Sequence, residues 1–121
     1  MRAVGIILAG GNSRKMRELT SKRAAAAMPI AGSYRAIDFT LSNMTNSHIQ
    51  KVAVLTQYNA RSLNEHLNSS KWWDFGRKQG GLYVFTPTIT DDNGYWYRGT
   101  ADAIYQNLDF LRKCHEPYVI I

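Results

Sequence analysis

Short apolar runs mark the positions of strands along this chain. The first run, Ala3–Ala9, has the length and continuous apolar character of a strand that is covered on both faces. Val52–Leu55 is a second run of this kind, and Tyr118–Ile121 is predicted to begin another buried strand. Parallel strands buried between helices have this character, so the runs predict a mostly parallel sheet.

Between these runs, apolar residues recur three or four positions apart, which predicts helices. The first helix is expected from Ala36 to about Ser47, on the stripe Ile37, Leu41, Met44 and His48. A short helix carrying Leu63, His66 and Leu67 follows, with Asn59 or Ser62 as its cap. A third helix is expected over Thr100–Arg112, with its stripe at Ala101, Ile104, Tyr105, Leu108 and Leu111.

The order of these elements predicts a single α/β domain. Ser69–Gly94 is expected to be mostly irregular, with one possible short strand at Leu82–Phe85. We expect a three-layer α/β/α, Rossmann-like arrangement, in which ligands bind beyond the carboxyl ends of the strands. Because the last predicted strand ends the chain, residues 1–121 are interpreted as the N-terminal part of a truncated domain.

The composition disfavours three classes of protein, namely membrane-spanning, secreted and nucleic-acid-binding proteins. The 121 residues include no apolar run near the ~20 that a membrane span needs. A single cysteine and the lack of a secretory pattern favour the cytoplasm. The net charge is +6, but six of the fifteen basic residues and one of the nine acidic residues lie in residues 1–23. This concentration indicates a local anion site and disfavours a nucleic-acid surface.

The basic residues follow a pair of glycines. After the first strand the chain reads Gly10-Gly11, and Arg14, Lys15 and Arg17 come next. Glycines let backbone N–H groups approach an anion, and cations neutralise phosphate charge. The pattern matches neither a P-loop nor a Rossmann fingerprint. A tight turn followed by a solvated basic loop is the alternative.

Several motifs together resemble the sugar-nucleotide pyrophosphorylases, and within them the glucose-1-phosphate adenylyltransferase (ADP-glucose pyrophosphorylase) family. The motifs are Ile7–Gly11, Leu19-Thr20, Lys22–Ala24, Tyr34–Phe39, Leu41–Asn43, Thr56–Tyr58, and Trp96–Ala103 with Gln106-Asn107. The resemblance runs from Ala3 to Ile121. It implies the reaction of ATP with glucose 1-phosphate to ADP-glucose and pyrophosphate, in bacterial glycogen biosynthesis.

The resemblance also implies site residues. Nucleotide-binding positions are Gly10, Gly11, Arg14, Lys15, Gln57, Gly99 and Thr100. The region of Lys22 is implied to bind a phosphorylated sugar activator, with Arg23 and Arg35 nearby, although a solvent-facing basic loop is equally compatible. Thr100 as a plain helix cap and Gly99 as a plain turn residue are the alternatives for that pair. The family uses Mg²⁺, but its aspartate ligand falls beyond Ile121, so we expect no metal site in this chain.

The sequence departs from the family at its cations. Ser13 stands in place of a glycine, Arg14 of a small hydroxyl residue, and Lys15 of an arginine. Ala25 stands in place of the family's lysine. A cation that stabilises transition-state phosphate charge is commonly worth ~10²–10³ in rate. We therefore interpret the chain as part of a regulatory subunit that is inactive alone, and we assign no catalytic residue, because the family's catalytic positions are occupied by Lys15 and Ala25.

Such a subunit is expected to form hetero- or homo-oligomers with a catalytic-type subunit, and to bind ATP, ADP-glucose and sugar phosphates weakly. Two alternatives stay open, namely an active enzyme in which Arg14 or Lys22 supplies the missing charge, and a separate binding or assembly module. The aromatic residues Trp72, Trp73, Phe75, Tyr83 and Phe85 are interpreted as packing of a long loop or of a subunit contact, and single-stranded nucleic-acid binding is the less favoured alternative. His48, His66 and His115 have no metal-like spacing.

Overall fold

The computed structural model describes residues 2–11, 14–69, 81–87 and 96–121. Six strands occur in these ranges: β1 (Ala3–Ala9), β2 (Pro29–Ile30), β3 (Tyr34–Arg35), β4 (Lys51–Thr56), β5 (Gly81–Phe85) and β6 (Tyr118–Ile120). The α-helices are α1 (Ala36–Asn46), α2 (Ala60–Ser69), α3 (Thr100–Gln106) and α4 (Leu108–Lys113). Two 3₁₀ segments, Arg14–Thr20 and Ala25–Ala27, lie between β1 and β2.

Four of the strands form one parallel sheet in the order β5-β4-β1-β6. The two continuous apolar runs became its central strands, β1 and β4, which pair from Val4↔Lys51 to Ala9↔Thr56. Both are almost wholly buried, as expected for strands covered on two faces. The prediction of an α/β domain with a mostly parallel sheet is confirmed.

Helices cover both faces of this sheet. One core lies against α1 and α2 and includes Ile7, Ala9, Val52, Val54, Ile37, Leu41, Leu63 and Leu67. The other lies against α3 and α4 and is formed by Ile6, Leu55 and Ala103, with Phe85, Tyr97, Ile104 and Leu111. Successive strand residues point to opposite faces, so Ile6 and Ile7 enter different cores. The three-layer prediction is confirmed.

Gly5 leaves room on β1 for the end of the Met44 side chain from α1. A Cβ on Gly5 would lie 2.9 Å from the Met44 sulfur and 3.2 Å from its methyl carbon. Met44 belongs to the predicted stripe of the first helix, which is observed as α1 and ends one residue earlier than expected. The helix begins with the Arg35 N–H donating to Asp38 Oδ2 at 2.8 Å.

Of the two predicted caps of the second helix, Ser62 is wrong, because helix α2 begins at Ala60 and Ser62 lies inside it. Asn59 is the residue directly before the helix. Its amide nitrogen donates to the backbone carbonyls of residues 20 and 21. The hydrogen bonds of this amide nitrogen therefore depend on a segment that is distant in sequence. Local capping patterns do not predict such contacts.

The predicted helix Thr100–Arg112 is two helices that meet at Asn107. The Asn107 amide donates to the Ala103 carbonyl at 2.8 Å and to the Tyr97 hydroxyl at 3.1 Å. Asparagine side chains that bond nearby backbone in this way compete with continuous helix. The predicted stripe is also wrong at Ala101, which is exposed, and at Tyr105, which is 72% exposed. Ala103 is the buried residue of α3.

The last strand is an edge strand of the described sheet and is not buried. In β6, Tyr118 is 59% and Val119 45% exposed, although both pair with β1. Lys51 and Glu116 lie 3.5 Å apart at the opposite edge from the carboxyl ends of the strands. Burial raises the pKa of Glu116, but its backbone hydrogen bond and Lys51 together lower it below the usual value. Helices of the described ranges are all too short or too polar to cross a membrane.

Sequence patterns gave no sign of the antiparallel pair β2–β3, in which Pro29 pairs with Arg35 and Ile30 with Tyr34. Strands of two residues are too short to show alternation. The predicted short strand Leu82–Phe85 is confirmed as β5, one residue longer. Most of the rest of the predicted irregular region, including the Asp91–Gly94 turn, lies outside the described residues.

Candidate functional site

A cleft of about 300 Å³ lies at the carboxyl ends of β1 and β4. Because Ala9 pairs with Thr56, the residues that follow them, Gly10 and Gln57, emerge side by side. A Cβ on Gly10 would lie 3.1 Å from the Gln57 Cβ, so glycine is what allows this approach. The loops after two neighbouring parallel strands therefore form one wall of the cleft, where ligands of open α/β sheets bind.

The other wall comes from the start of α3. Tyr97, Gly99, Thr100 and Ala103 line this side of the cleft. The Asp102 carboxylate accepts hydrogen bonds from the Arg98 N–H at 2.8 Å and from the Gln106 amide at 3.0 Å. These bonds hold the first turn of α3 in place. They give the Asp102 carboxylate a structural role that involves no ligand.

A stacked aromatic pair connects the two walls. The rings of Tyr58 and Trp96 lie 4.7 Å apart, centre to centre, with a 24° angle between their planes. Tyr58 follows Gln57, and Trp96 precedes Tyr97, so the pair joins the loop after β4 to the segment before α3. Offset stacking of this kind holds the two cleft-lining segments together.

Five of the seven predicted nucleotide-binding residues line this cleft, namely Gly10, Gly11, Gln57, Gly99 and Thr100. Lys15 does not line it and is exposed on the first 3₁₀ segment. The Arg14 side chain lies outside the described part of the structure, as do Asn12 and Ser13. Among the described residues that line the cleft, none carries a positive charge.

The sequence of this chain matches a known protein family. The Nucleotidyl transferase family matches residues 4–121, which is almost the whole chain. The chain belongs to the nucleotidyl transferases. Its curated relatives include glucose-1-phosphate adenylyltransferases of Thermosipho africanus (48% identical), Clostridium novyi (46%) and Clostridium kluyveri (48%). Each match covers 98% of this chain but 29% of the first relative and 31% of the other two.

The predicted effector residues of this nucleotidyl transferase have different environments. Lys22 is exposed and Arg23 half-buried. The Arg35 guanidinium donates from Nη1 to the Ala27 carbonyl at 2.8 Å, so that group binds the backbone of the second 3₁₀ segment. Ala25, where the resemblance leads one to expect a lysine, is half-buried at the start of this segment and does not line the cleft.

Sequence reasoning missed the apolar part of the cleft wall. Leu8, Leu55, Tyr97 and Ala103 line it in addition to the predicted residues. Leu8 and Leu55 are paired neighbours on β1 and β4, so their strand register was the signal that placed them together. This apolar floor beside polar edges is typical of sites for small organic ligands.

The described residues of this nucleotidyl transferase do not fit a magnesium site on their own. No group of three His, Cys, Asp or Glu side chains gathers anywhere in the described ranges. The Asp102 carboxylate, at the start of α3, is already bonded by an amide and a backbone N–H.

A second cavity, of about 560 Å³, lies away from the cleft, between the β2–β3 pair, α1 and α2. His66 Nε2 lies 2.6 Å from Asp38 Oδ1 in its wall, and Asp38 also binds the start of α1. His66 therefore joins α2 to α1, a structural role consistent with its lack of metal-like spacing.

Part of the predicted aromatic cluster packs within the fold. The rings of Tyr83 and Phe85 each lie 5.1 Å from that of Phe110 in α4. Trp72, Trp73 and Phe75 lie outside the described residues. The described members therefore support packing of β5 on α4, although Tyr83 is also 39% exposed.

Proposed function

We propose that this chain is the N-terminal part of a regulatory subunit of glucose-1-phosphate adenylyltransferase, acting in glycogen biosynthesis in the cytoplasm. Its cleft would hold ATP or ADP-glucose weakly, and the subunit would assemble with a catalytic-type subunit. One observation supports this proposal: two glycines, the Gln57 amide and apolar side chains line the cleft, whereas the described residues that line it supply no cation.

The nucleotide part of the proposal rests on the geometry of the cleft walls. Gly10 and Gly11 expose backbone beside the end of β1, and the Gln57 amide both donates and accepts hydrogen bonds, as a base edge requires. Leu8 and Leu55 provide an apolar floor for a ring. The relatives are named glucose-1-phosphate adenylyltransferases, a name that specifies an adenylyl group and therefore supports adenine as the base.

The regulatory part rests on charge. Phosphoryl transfer is accelerated mainly by positioned positive charge and in-line geometry. Ala25 has no charge, and the Lys15 ammonium is solvated and lacks the planar fork with which arginine grips two phosphate oxygens. A domain that keeps its cleft and loses these cations is suited to binding without turnover.

Lys22 and Arg23 are proposed to bind the phosphate of an activating sugar phosphate. Both follow the first 3₁₀ segment and have no described ion-pair partner. Arg35 acts instead as a support for the second 3₁₀ segment, through its bond to the Ala27 carbonyl.

The test of this function uses the full-length protein with and without a catalytic-type subunit. We expect negligible pyrophosphate release from ATP and glucose 1-phosphate by the protein alone. Co-expression with a catalytic-type subunit is expected to give a stable complex whose response to sugar phosphates differs from that of the catalytic subunit alone. Turnover by the isolated protein at the rate of ordinary family members would refute the regulatory assignment. Failure to co-purify would favour a separate binding module.

Gly10→Ala tests the nucleotide cleft. The added methyl would meet the Gln57 Cβ at 3.1 Å, which is close to the backbone and has little freedom to move. We expect ATP affinity, measured by titration calorimetry, to fall about tenfold as the two loops separate. A Cβ on Gly11 meets nothing within 4 Å, so Gly11→Ala should lose clearly less affinity. Equal losses in the two variants would contradict this geometry.

A further inference from the structure

A side-chain amide from the loop after β4 binds the end of the basic segment, residues 14–23. Asn59 Nδ2 lies 3.3 Å from the Thr20 carbonyl oxygen and 3.3 Å from that of Ser21. An amide nitrogen carries two N–H groups, so one is available for each carbonyl. The two bonds connect residues 39 and 38 positions apart in the sequence. Asn59 is thus a long-range contact on a segment otherwise rich in like charge.

The segment that Asn59 holds contains a strained backbone. Arg17 has φ 45° and ψ −120°, a conformation that non-glycine residues rarely adopt and that persists only where the surroundings enforce it. The hydroxyl of the buried Thr20 donates to the Arg17 carbonyl at 3.2 Å. The Ser21 hydroxyl donates to the Glu18 carbonyl at 2.8 Å. Contacts therefore run from Asn59 through Thr20 to the strained residue.

Asn59 is also suited to its own position. Its φ is 45°, in the left-handed region that asparagine tolerates better than most residues. Two residues before it, Gln57 lines the cleft, and directly after Ser21 come Lys22 and Arg23. One side chain therefore fixes the distance between the cleft loop and this pair of cations.

We propose that Asn59 is a positioning residue, whose amide fixes Lys22 and Arg23 beside the loop after β4 for the binding of a phosphate-bearing anion. The inference rests on the proposed function, in which these cations bind a phosphate group. Lys15, Arg17, Lys22 and Arg23 carry like charge within one short segment, and the two hydrogen bonds from Asn59 form a tether that holds the end of this segment before the anion arrives. Pre-organisation of this kind lowers the entropic cost of binding.

Two substitutions of Asn59 distinguish the effect of its side-chain amide from the effect of its left-handed backbone conformation. Asn59→Asp keeps the shape of the side chain, removes both N–H groups and places a carboxylate against two carbonyl oxygens. Asn59→Gly keeps the left-handed backbone and removes the side chain. His48→Gly is the matched control, because His48 also has a positive φ (58°), is exposed, and lies at the end of α1 away from the basic segment.

Two readouts are compared across these variants. The first is the rate of trypsin cleavage after Arg17, Lys22 and Arg23, with cleavage after Lys113 in α4 as the internal reference. We expect it to rise on the order of tenfold in Asn59→Asp and Asn59→Gly, and to stay unchanged in His48→Gly. The second is the affinity for inorganic pyrophosphate by titration calorimetry, which we expect to fall about fivefold or more in the two Asn59 variants.

The possible outcomes show separately whether Asn59 holds the basic segment and whether the proposed anion site exists. Unchanged cleavage in both Asn59 variants would overturn the inference. Faster cleavage in the Asn59 variants, together with an unchanged affinity for pyrophosphate, would show that Asn59 holds the segment. It would overturn the claim that this contact positions Lys22 and Arg23 for an anion. If the wild-type protein itself does not bind pyrophosphate, the proposed anion site fails, and the cleavage rates still decide whether Asn59 holds the segment.

Discussion

Ala25→Lys combined with Lys15→Arg in the full-length protein is expected to raise pyrophosphate release by ~10²–10³ over the unmodified protein. The lysine would supply an ammonium where the resemblance to adenylyltransferases requires one, and the arginine would supply a fork for two phosphate oxygens. Because phosphoryl transfer depends on such positioned charge, activity should appear without any change in the cleft walls. A coupled pyrophosphate assay with ATP and glucose 1-phosphate measures it.

The control for this gain of activity is Ala26→Lys in the same Lys15→Arg background. Ala26 is the neighbour of Ala25 in the same 3₁₀ segment and is half-buried like it, so the variant adds the same charge one position away. Activity in both variants would indicate a non-specific effect of added charge. No gain in the Ala25→Lys variant, with ATP binding intact, would show that loss of these cations is not what silences the protein.

Leu63→Ala is expected to lower the free energy of unfolding by about 2–5 kcal/mol. Leu63 is fully buried in α2 and belongs to the core between that helix and the sheet. Truncation removes apolar contacts and leaves a cavity that close-packed neighbours fill only in part. Since small domains have only about 5–15 kcal/mol in total, urea unfolding followed by circular dichroism should show a clear shift of the midpoint.

Tyr105→Ala is the matched comparison. The periodicity of residues 100–112 places Tyr105 on an apolar stripe, whereas in the structure its side chain is 72% exposed. We expect its truncation to change the free energy of unfolding by less than about 0.5 kcal/mol. A loss as large as that of Leu63→Ala would mean that Tyr105 is buried after all, against the observed packing of α3.

Much of the fold follows from local patterns. The runs Ala3–Ala9 and Val52–Leu55 became the two central strands, because only strands covered on both faces are apolar throughout. The stripe from Ile37 to Met44 became α1, because a helix that packs on a sheet buries one face and needs apolar residues only there. The break at Asn107 was not predictable in this way, since it depends on a hydroxyl from Tyr97, ten residues earlier.

The candidate site was predictable in part. The glycine pair, Gln57 and the Gly99-Thr100 turn each follow or precede a predicted element, and the parallel register brings them to one cleft. The position of Lys15 and the engagement of Arg35 by the Ala27 carbonyl were not predictable. The direction in which a long cationic side chain points depends on its neighbours from other elements. The spacing of apolar residues along the chain carries no information about those neighbours.

The sequence by itself determined the central strands β1 and β4 and the helix α1, that the sheet is mostly parallel, and that charge is concentrated after the first strand. Burial requirements impose these features locally, so they are written in the spacing of apolar residues. Only the tertiary structure decided that Gly10 lies against Gln57, that Asn59 binds Thr20 and Ser21, and that β6 is exposed. Each of these depends on contacts between residues far apart in the chain, whose distances are fixed only once the sheet and its helices have packed.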